Sequence, residues 1–200
     1  MPCPAPDTID TRSRILQAAQ RLFRKRGYHA TGLSDILDLA QAPKGSMYHH
    51  FPGGKEAIGV AVIEAITLDL LQLFVQHAAR TTQAQVLKAG LQLVQVAEKT
   101  NYEMCALFSS FIAERKSSPL LGHAVEQAYA QMVNSLQARL VQDGWSNRAA
   151  TDKAQVVLAL LEGGSMLAQA QRSTRSFSLA VKQAAALCVL PTPSALPRTP

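Results

Sequence analysis

Residues 33–51 read LSDILDLAQAPKGSMYHHF, and this stretch decides the fold. Leu33, Ile36, Leu37 and Ala40 recur at helical spacing, which predicts a short helix over about Leu33–Ala40 with Thr31 as its N-cap. Pro43 then opens a second short helix, since proline suits a first helical turn. Met47 and Phe51 lie four apart and form its inward side. Lys44, Ser46, Tyr48, His49 and His50 face outward. A turn of about three residues joins the two helices. Upstream, Ile15, Ala19, Leu22 and Phe23 line one face of a longer helix that closes on Arg24-Lys25-Arg26-Gly27. Two short helices after a basic one are the helix-turn-helix layout, in which the second short helix enters the DNA major groove.

The outward residues suit that task. Lysine reaches guanine acceptors or a phosphate, serine contacts either, and a tyrosine hydroxyl donates to phosphate. Gly45 permits close approach to the DNA backbone. Pro52-Gly53-Gly54-Lys55 starts a further helix, whose free N–H groups together with Lys55 form a phosphate site. Thr31 offers a hydroxyl and backbone donors in the same way. Arg12 and Arg14 fit a solvated face and a DNA contact equally well. Adjacent His49 and His50 point in different directions on a helix, so no metal site is expected there.

Downstream, the same periodicity predicts helices over about 54–79, 83–99, 103–116, 120–142, 147–171 and 176–189. The clearest stripe is Leu121, Val125, Ala128, Tyr129, Met132, Leu136 and Leu140. No alternating strand pattern competes. Seven of the ten prolines lie before residue 7 or after residue 190. Proline breaks helix interiors, so the body of the chain is free to be helical. The reading is all-α with about nine helices. Residues 1–9 and 191–200 are expected as disordered tails, 10–55 as the DNA-binding domain with the helix-turn-helix at about 33–52, and 56–190 as a second helical domain.

The bulk numbers narrow the function. Of 200 residues 48% are hydrophobic, and the net charge is +6. Residues 1–55 hold eight Lys/Arg against four acids; the other 145 hold twelve against ten. The positive density therefore sits in the first quarter, which suggests an anionic partner. The three cysteines are scattered, which argues against a disulfide framework or a zinc site. No signal peptide is read at the N-terminus, and no run of about 18 apolar residues is found, the nearest being Val156–Ala170. A cytoplasmic protein without a membrane association is expected. No nucleophile elbow, phosphate loop, metal-spaced histidine pair or base-linked carboxylate pair occurs, so neither an enzyme nor a cofactor is expected.

Gly27-Tyr28-x-Ala30-Thr31, Asp35-Ile36 and Lys44-Gly45-Ser46-Met47-Tyr48-His49-His50-Phe51-Pro52-Gly53-Gly54-Lys55-Glu56 together resemble the tetracycline-repressor (TetR) family over about residues 10–70. Residues 159–173, with Cys105, Glu114 and Pro119-Leu120, resemble the branch of lincomycin-resistance and N-ethylmaleimide-responsive repressors. The resemblance implies a homodimeric repressor with an all-helical ligand-binding and dimerisation domain, released from a near-palindromic operator by a small molecule. By match to the motif, Thr31, Lys44, Gly45, Ser46, Tyr48, His49 and Lys55 are the DNA-binding residues. In the turn, Gln41 stands where the family usually has glycine, at a cost on the order of 1 kcal/mol for a left-handed conformation. Pro43 replaces the usual serine cap.

In the second domain, Gly163, Gly164, Ala168 and Ala170 permit close helix approach. That places a four-helix dimer interface at about Ala154–Arg172 and Leu179–Val189, or relieves packing inside one subunit. Phe74, Met104, Cys105, Phe108, Phe111, Tyr129, Met132 and Met166 are candidate pocket residues for a small hydrophobic or anionic effector. In the electrophile-responsive branch a cysteine near Cys105 is the sensor, so a redox-sensing repressor is one alternative. A DNA binder that ignores sequence is another.

Overall fold

The computed structural model describes residues 10–103 and 107–190. Among them are nine α-helices: α1 (Thr11–Arg26), α2 (Leu33–Ala40), α3 (Lys44–His50), α4 (Gly54–Gln76), α5 (Thr82–Lys99), α6 (Leu107–Ile112), α7 (Pro119–Gln142), α8 (Asn147–Gln171) and α9 (Arg175–Leu187). A 3-10 turn over Ala113–Lys116 follows α6, and the described residues contain no strand. The expected tails, together with Met104 and Cys105, lie outside the described residues. The sixth helix is therefore seen only from Leu107 onward. Its predicted end at Lys116 is the tighter 3-10 winding rather than α-helix.

The helices pack into two compact units, Met1–Ile66 with Ala106–Ala128, and Thr67–Cys105 with Tyr129–Pro200. By packing, the first unit thus reaches past the boundary drawn at residue 55. It takes in the first half of α4 and a later segment that sequence order alone gives no reason to join to it.

In the first unit, α1 starts where the Asp10 carboxylate accepts the Ser13 N–H at 2.9 Å, supplying a cap to an otherwise unsatisfied donor. Its buried face is the expected one, Ile15, Ala19, Leu22 and Phe23. Phe23 packs edge-on to Phe111 with centroids 5.6 Å apart, and Tyr28 lies 5.2 Å from Phe23 and 5.5 Å from Phe111. Such tilted and edge-to-face pairs add to the area the rings bury. Burial, with the nearby carboxylates of Glu56 and Glu114, pushes the Tyr28 hydroxyl up to about 12. On α4, Ile58, Val62 and Ile66 are buried, and Gly59 lies against Tyr28 and Phe111, where a Cβ would crowd the tyrosine ring. That helix meets the length and composition of a membrane span, contrary to the sequence reading that found no such run. Ile58, Ala61, Val62, Ile63 and Ile66 are buried instead in protein.

Gly32, not Thr31, is the N-cap of α2, and Asp35 reaches back to accept its N–H at 3.3 Å. Thr31 serves α1 instead: its hydroxyl donates to the Gly27 carbonyl at 2.8 Å. The turn after α2 places Gln41 at φ 50°, ψ 46°, the left-handed region.

In the second unit, α5, α8 and α9 share a core of Val94, Ala97, Ala168, Phe177 and Val181. A neighbouring cluster joins Val86 of α5, Leu136 and Leu140 of α7, Ala154 and Val157 of α8, and Ala184 and Ala185 of α9. Gly164 lets α8 touch α9, since a Cβ there would collide with Ala180. Polar groups at the α4–α5 loop are gathered by Arg139. Its guanidinium donates to Gln85 Oε1 (3.1 Å), Asp143 Oδ1 (2.5 Å), and the carbonyls of Ala79 (2.9 Å) and Arg80 (3.1 Å). Asp143 in turn accepts the Thr82 N–H at 2.6 Å at the start of α5. Burial raises the Asp143 carboxyl, but the Thr82 donors and Arg139 outweigh it, and the net shift is downward.

Two outcomes are expected. A depressed carboxyl stabilises fully above its unfolded value of about 3.9 and loses that contribution as pH falls through its folded value. Asp143→Asn therefore lowers stability by about 1.5–3 kcal/mol at pH 7. The deficit shrinks toward pH 3, as read by denaturant melts at both pH values; a pH-independent deficit contradicts the assignment. Gln41→Gly relieves the left-handed glutamine and stabilises by about 1 kcal/mol, a rise of roughly 2–4 °C in melting temperature; an unchanged or lower midpoint excludes strain at the turn.

Candidate nucleic-acid interface

Helix α3 has two turns and one buried side. Met47 is 0% exposed and Phe51, its C-cap, 3%. Both sink into the core of the first unit, so the opposite side must face solvent. There Lys44, Gly45, Tyr48 and His49 are exposed, Tyr48 at 46%, with Ser46 half-buried beside them. Among the described residues, neither the Lys44 nor the Tyr48 side chain takes part in a hydrogen bond or ion pair. Tyr48 lies alongside Gly54, which has φ 63° and opens α4. The tyrosine and the first turn of α4 are thereby neighbours; the Gly54 N–H is taken by the Phe51 carbonyl at 2.9 Å, and the later N–H groups of a helix's first turn, like a tyrosine hydroxyl, are phosphate donors by type.

Two flanking residues sit differently from expectation. Thr31 is 1% exposed; its hydroxyl goes to Gly27 and its N–H to the Tyr28 carbonyl at 3.2 Å. Both donors offered to phosphate are spent inside the fold, because the chain between α1 and α2 needs them to close its turn. Exposed Ser34, in the first turn of α2, occupies the outer position instead. The Lys55 ammonium lies 4.3 Å above the Tyr28 ring and donates to the His29 carbonyl at 3.3 Å. Burial lowers its pKa, although Glu114 opposes this. Its resting position is thus inward, over an aromatic face that attracts cations.

The arginines of α1 that fitted two readings are also placed. Arg14 donates to the Gln41 carbonyl at 3.2 Å and to Thr11 Oγ1 at 3.2 Å. The Arg12 guanidinium lies 5.3 Å from the Phe51 ring centroid. No sequence signal links residues 27 or 39 positions apart, so neither contact was legible beforehand.

Of the expected pocket residues, Met104 and Cys105 lie outside the described residues and the others are divided between the two units. Phe108 and Phe111 are buried in the first unit, and Phe111 belongs to its aromatic core. Met166 is 51% exposed on α8. Phe74, Tyr129 and Met132 remain, half-buried in the second unit. The sequence reading missed Glu162, one helix away from Tyr129. Burial raises its carboxyl, opposed by a hydrogen bond from the Tyr129 hydroxyl. An acid facing inward is concealed by the apolar run around it. Cys188 is buried, and burial pushes its thiol up to about 11, the state of an unreactive thiol. Among the described residues no group of three metal-ligating side chains is assembled.

Comparison with known proteins agrees with this arrangement. Residues 15–62 match bacterial regulatory proteins of the tetR family, and residues 87–183 match the C-terminal domain of LmrA/YxaF-like transcriptional regulators. The chain is 34% identical over 162 residues to the HTH-type transcriptional regulator LmrA of Bacillus subtilis, spanning 79% of this chain and 86% of that one. Over 55 residues it is 47% identical to the HTH-type transcriptional repressor NemR of Escherichia coli, 28% of this chain and 27% of that one. Among solved structures, a TetR transcriptional regulator from Legionella pneumophila matches with a TM-score of 0.80 at 23% identity, covering 92% of this chain and all of that one. Reduced NemR matches at 0.67 and 26% identity, covering 88% and 95%. These relatives are transcriptional regulators and not enzymes. With a helix-turn-helix at its start, the matching C-terminal domain after it and the long alignment to LmrA, this chain belongs to the TetR family of DNA-binding transcriptional regulators.

Proposed function

We propose that this protein is a cytoplasmic repressor that binds a near-palindromic operator as a homodimer and leaves it when a small molecule enters the second unit. The observation that carries the DNA reading is the division of α3. Its inward pair is buried completely, while Lys44, Gly45, Ser46, Tyr48 and His49 stand on the open side with Lys44 and Tyr48 unengaged. Their types match base edges and phosphates. Lys55 joins them by swinging off Tyr28, and Thr31 contributes by shaping the loop that presents α2.

A single seven-residue helix reads few bases. Two copies spaced roughly 34–36 Å apart read one face of the duplex. The proposed joint is the outer face of α8 and α9. Val156, Met166, Leu167 and Leu179 are exposed apolar residues there, and a Cβ on Gly163 would meet nothing within 4 Å. Gly163 and Gly164 thus divide the two roles glycine was expected to fill, Gly164 inside the subunit and Gly163 on the outer face.

For the effector, a small apolar molecule that offers Glu162 and Tyr129 a hydrogen bond or positive charge suits the second unit. The small hydrophobic or anionic effector expected from the sequence stays as a proposal beside this one.

A duplex selected by the wild type from a random-sequence pool tests the DNA reading. Lys44→Ala and Tyr48→Phe are expected to weaken binding to it by about 1–3 kcal/mol without changing helical content. Wild-type affinity should fall steeply with salt as phosphate-bound counterions are released. A flat salt titration, or equal affinity for unselected DNA, contradicts an operator-specific repressor. For the dimer, Gly163→Arg is expected to sediment as a folded monomer; a wild-type dimer would move the interface elsewhere.

A further inference from the structure

Helix α3 is gripped at both ends by the first turn of α1. Before α3, the Arg14 guanidinium spans Thr11 Oγ1 and the Gln41 carbonyl, each at 3.2 Å. After α3, the Arg12 guanidinium lies over the ring of Phe51, the helix C-cap, at 5.3 Å. The start of α1 is itself anchored, since Asp10 accepts from both the N–H and the hydroxyl of Ser13 at 2.9 and 3.0 Å. Two arginines on one short, capped turn therefore meet both limits of the segment Gln41–Phe51.

The contact at Gln41 has a specific reason to matter. Its φ of 50° is a conformation that costs a residue with a Cβ and costs glycine nothing. A chain with glutamine here has a turn that tends to relax toward right-handed or extended backbone. Relaxation would rotate the peptide that follows and swing Pro43 and α3 away. The Gln41 carbonyl is the group that such a rotation displaces. A charged donor on that carbonyl, held in place by its second prong on Thr11 Oγ1, opposes the rotation.

We propose that Arg14 is a positioning residue, a latch that holds the left-handed Gln41 turn and so aims α3 at DNA, with Arg12 steadying the other end through Phe51. Arg14 does this without touching the duplex. This rests on α3 being the DNA-reading helix.

The latch makes Arg14 and Gln41 interdependent, which a phosphate contact would not. Wild type, Arg14→Ala, Arg14→Lys, Gln41→Gly and the double variant Arg14→Ala/Gln41→Gly are titrated against the duplex the wild type selects from a random pool, at several salt concentrations. Arg14→Ala is expected to lose about tenfold in affinity with the salt slope unchanged. Arg14→Lys should lose nearly as much, because one ammonium cannot bridge Thr11 and Gln41 as the planar fork does. Gln41→Gly alone binds like wild type, and the double variant recovers most of the loss, because glycine needs no latch.

The proposal is overturned if Arg14→Ala lowers the salt slope by about one and Arg14→Lys restores it, which marks a phosphate contact. Unchanged affinity in Arg14→Ala overturns it as well, as does a loss that Gln41→Gly fails to rescue. Circular dichroism on each variant separates misaimed from unfolded protein, and a double variant that stays unfolded counts against the latch. Failure of the wild type to select any duplex brings down the DNA reading and the positioning role together; failure of the latch alone leaves wild-type binding intact.

Discussion

Helix α3 is only seven residues long, and an isolated helix of that length does not persist in water. It exists because Met47 and Phe51 are buried against the first unit's core. That burial does two things together. It supplies the tertiary energy the helix lacks, and it decides which side of the helix is left outside. Lys44, Tyr48 and His49 are presented because the other side is used up. The remainder of the first unit can be understood as support for this one docking event. Phe23, Tyr28 and Phe111 form an aromatic cluster in the same unit, α1 braces both ends of the segment, and α4 continues the chain from a glycine beside Tyr48.

The price of the arrangement falls on the turns. The loop between α1 and α2 uses both Thr31 donors to satisfy Gly27 and Tyr28, leaving them unavailable for another partner. The loop between α2 and α3 holds a glutamine in a glycine's conformation and meets the strain with an arginine from another helix. In both cases the group that looks like a ligand contact in a motif is first a backbone device. Lys55 makes the same point from the other direction, since its cation rests on Tyr28 and the His29 carbonyl.

In the second unit, the contact between α8 and α9 is built largely on small residues. Gly164, Ala168, Ala180, Ala184 and Ala185 bring α8 and α9 close, and Gly163, one residue from Gly164, points away from the subunit. A rotation of 100° per residue separates neighbours on a helix, so two adjacent glycines serve two different faces. Arg139 closes the far end by collecting the loop carbonyls that the end of α4 leaves exposed.

Helix number, order and most of the buried positions were legible in the sequence, because each depends on apolar spacing within one segment. Ile15, Ala19, Leu22 and Phe23 on α1, and Met47 and Phe51 on α3, are buried as their period requires. The outward residues of α3 followed from the same period. Groups joined across segments were not legible. Arg14 with Gln41, Lys55 with Tyr28, Tyr129 with Glu162 and Phe111 with Phe23 are long-range pairs, and no local pattern encodes them. The sequence by itself determined that the chain is helical, that a helix-turn-helix lies near its start and which residues of α3 look outward. Only the tertiary structure decided which of the flanking polar groups stay free, because that depends on what the fold has already placed against them.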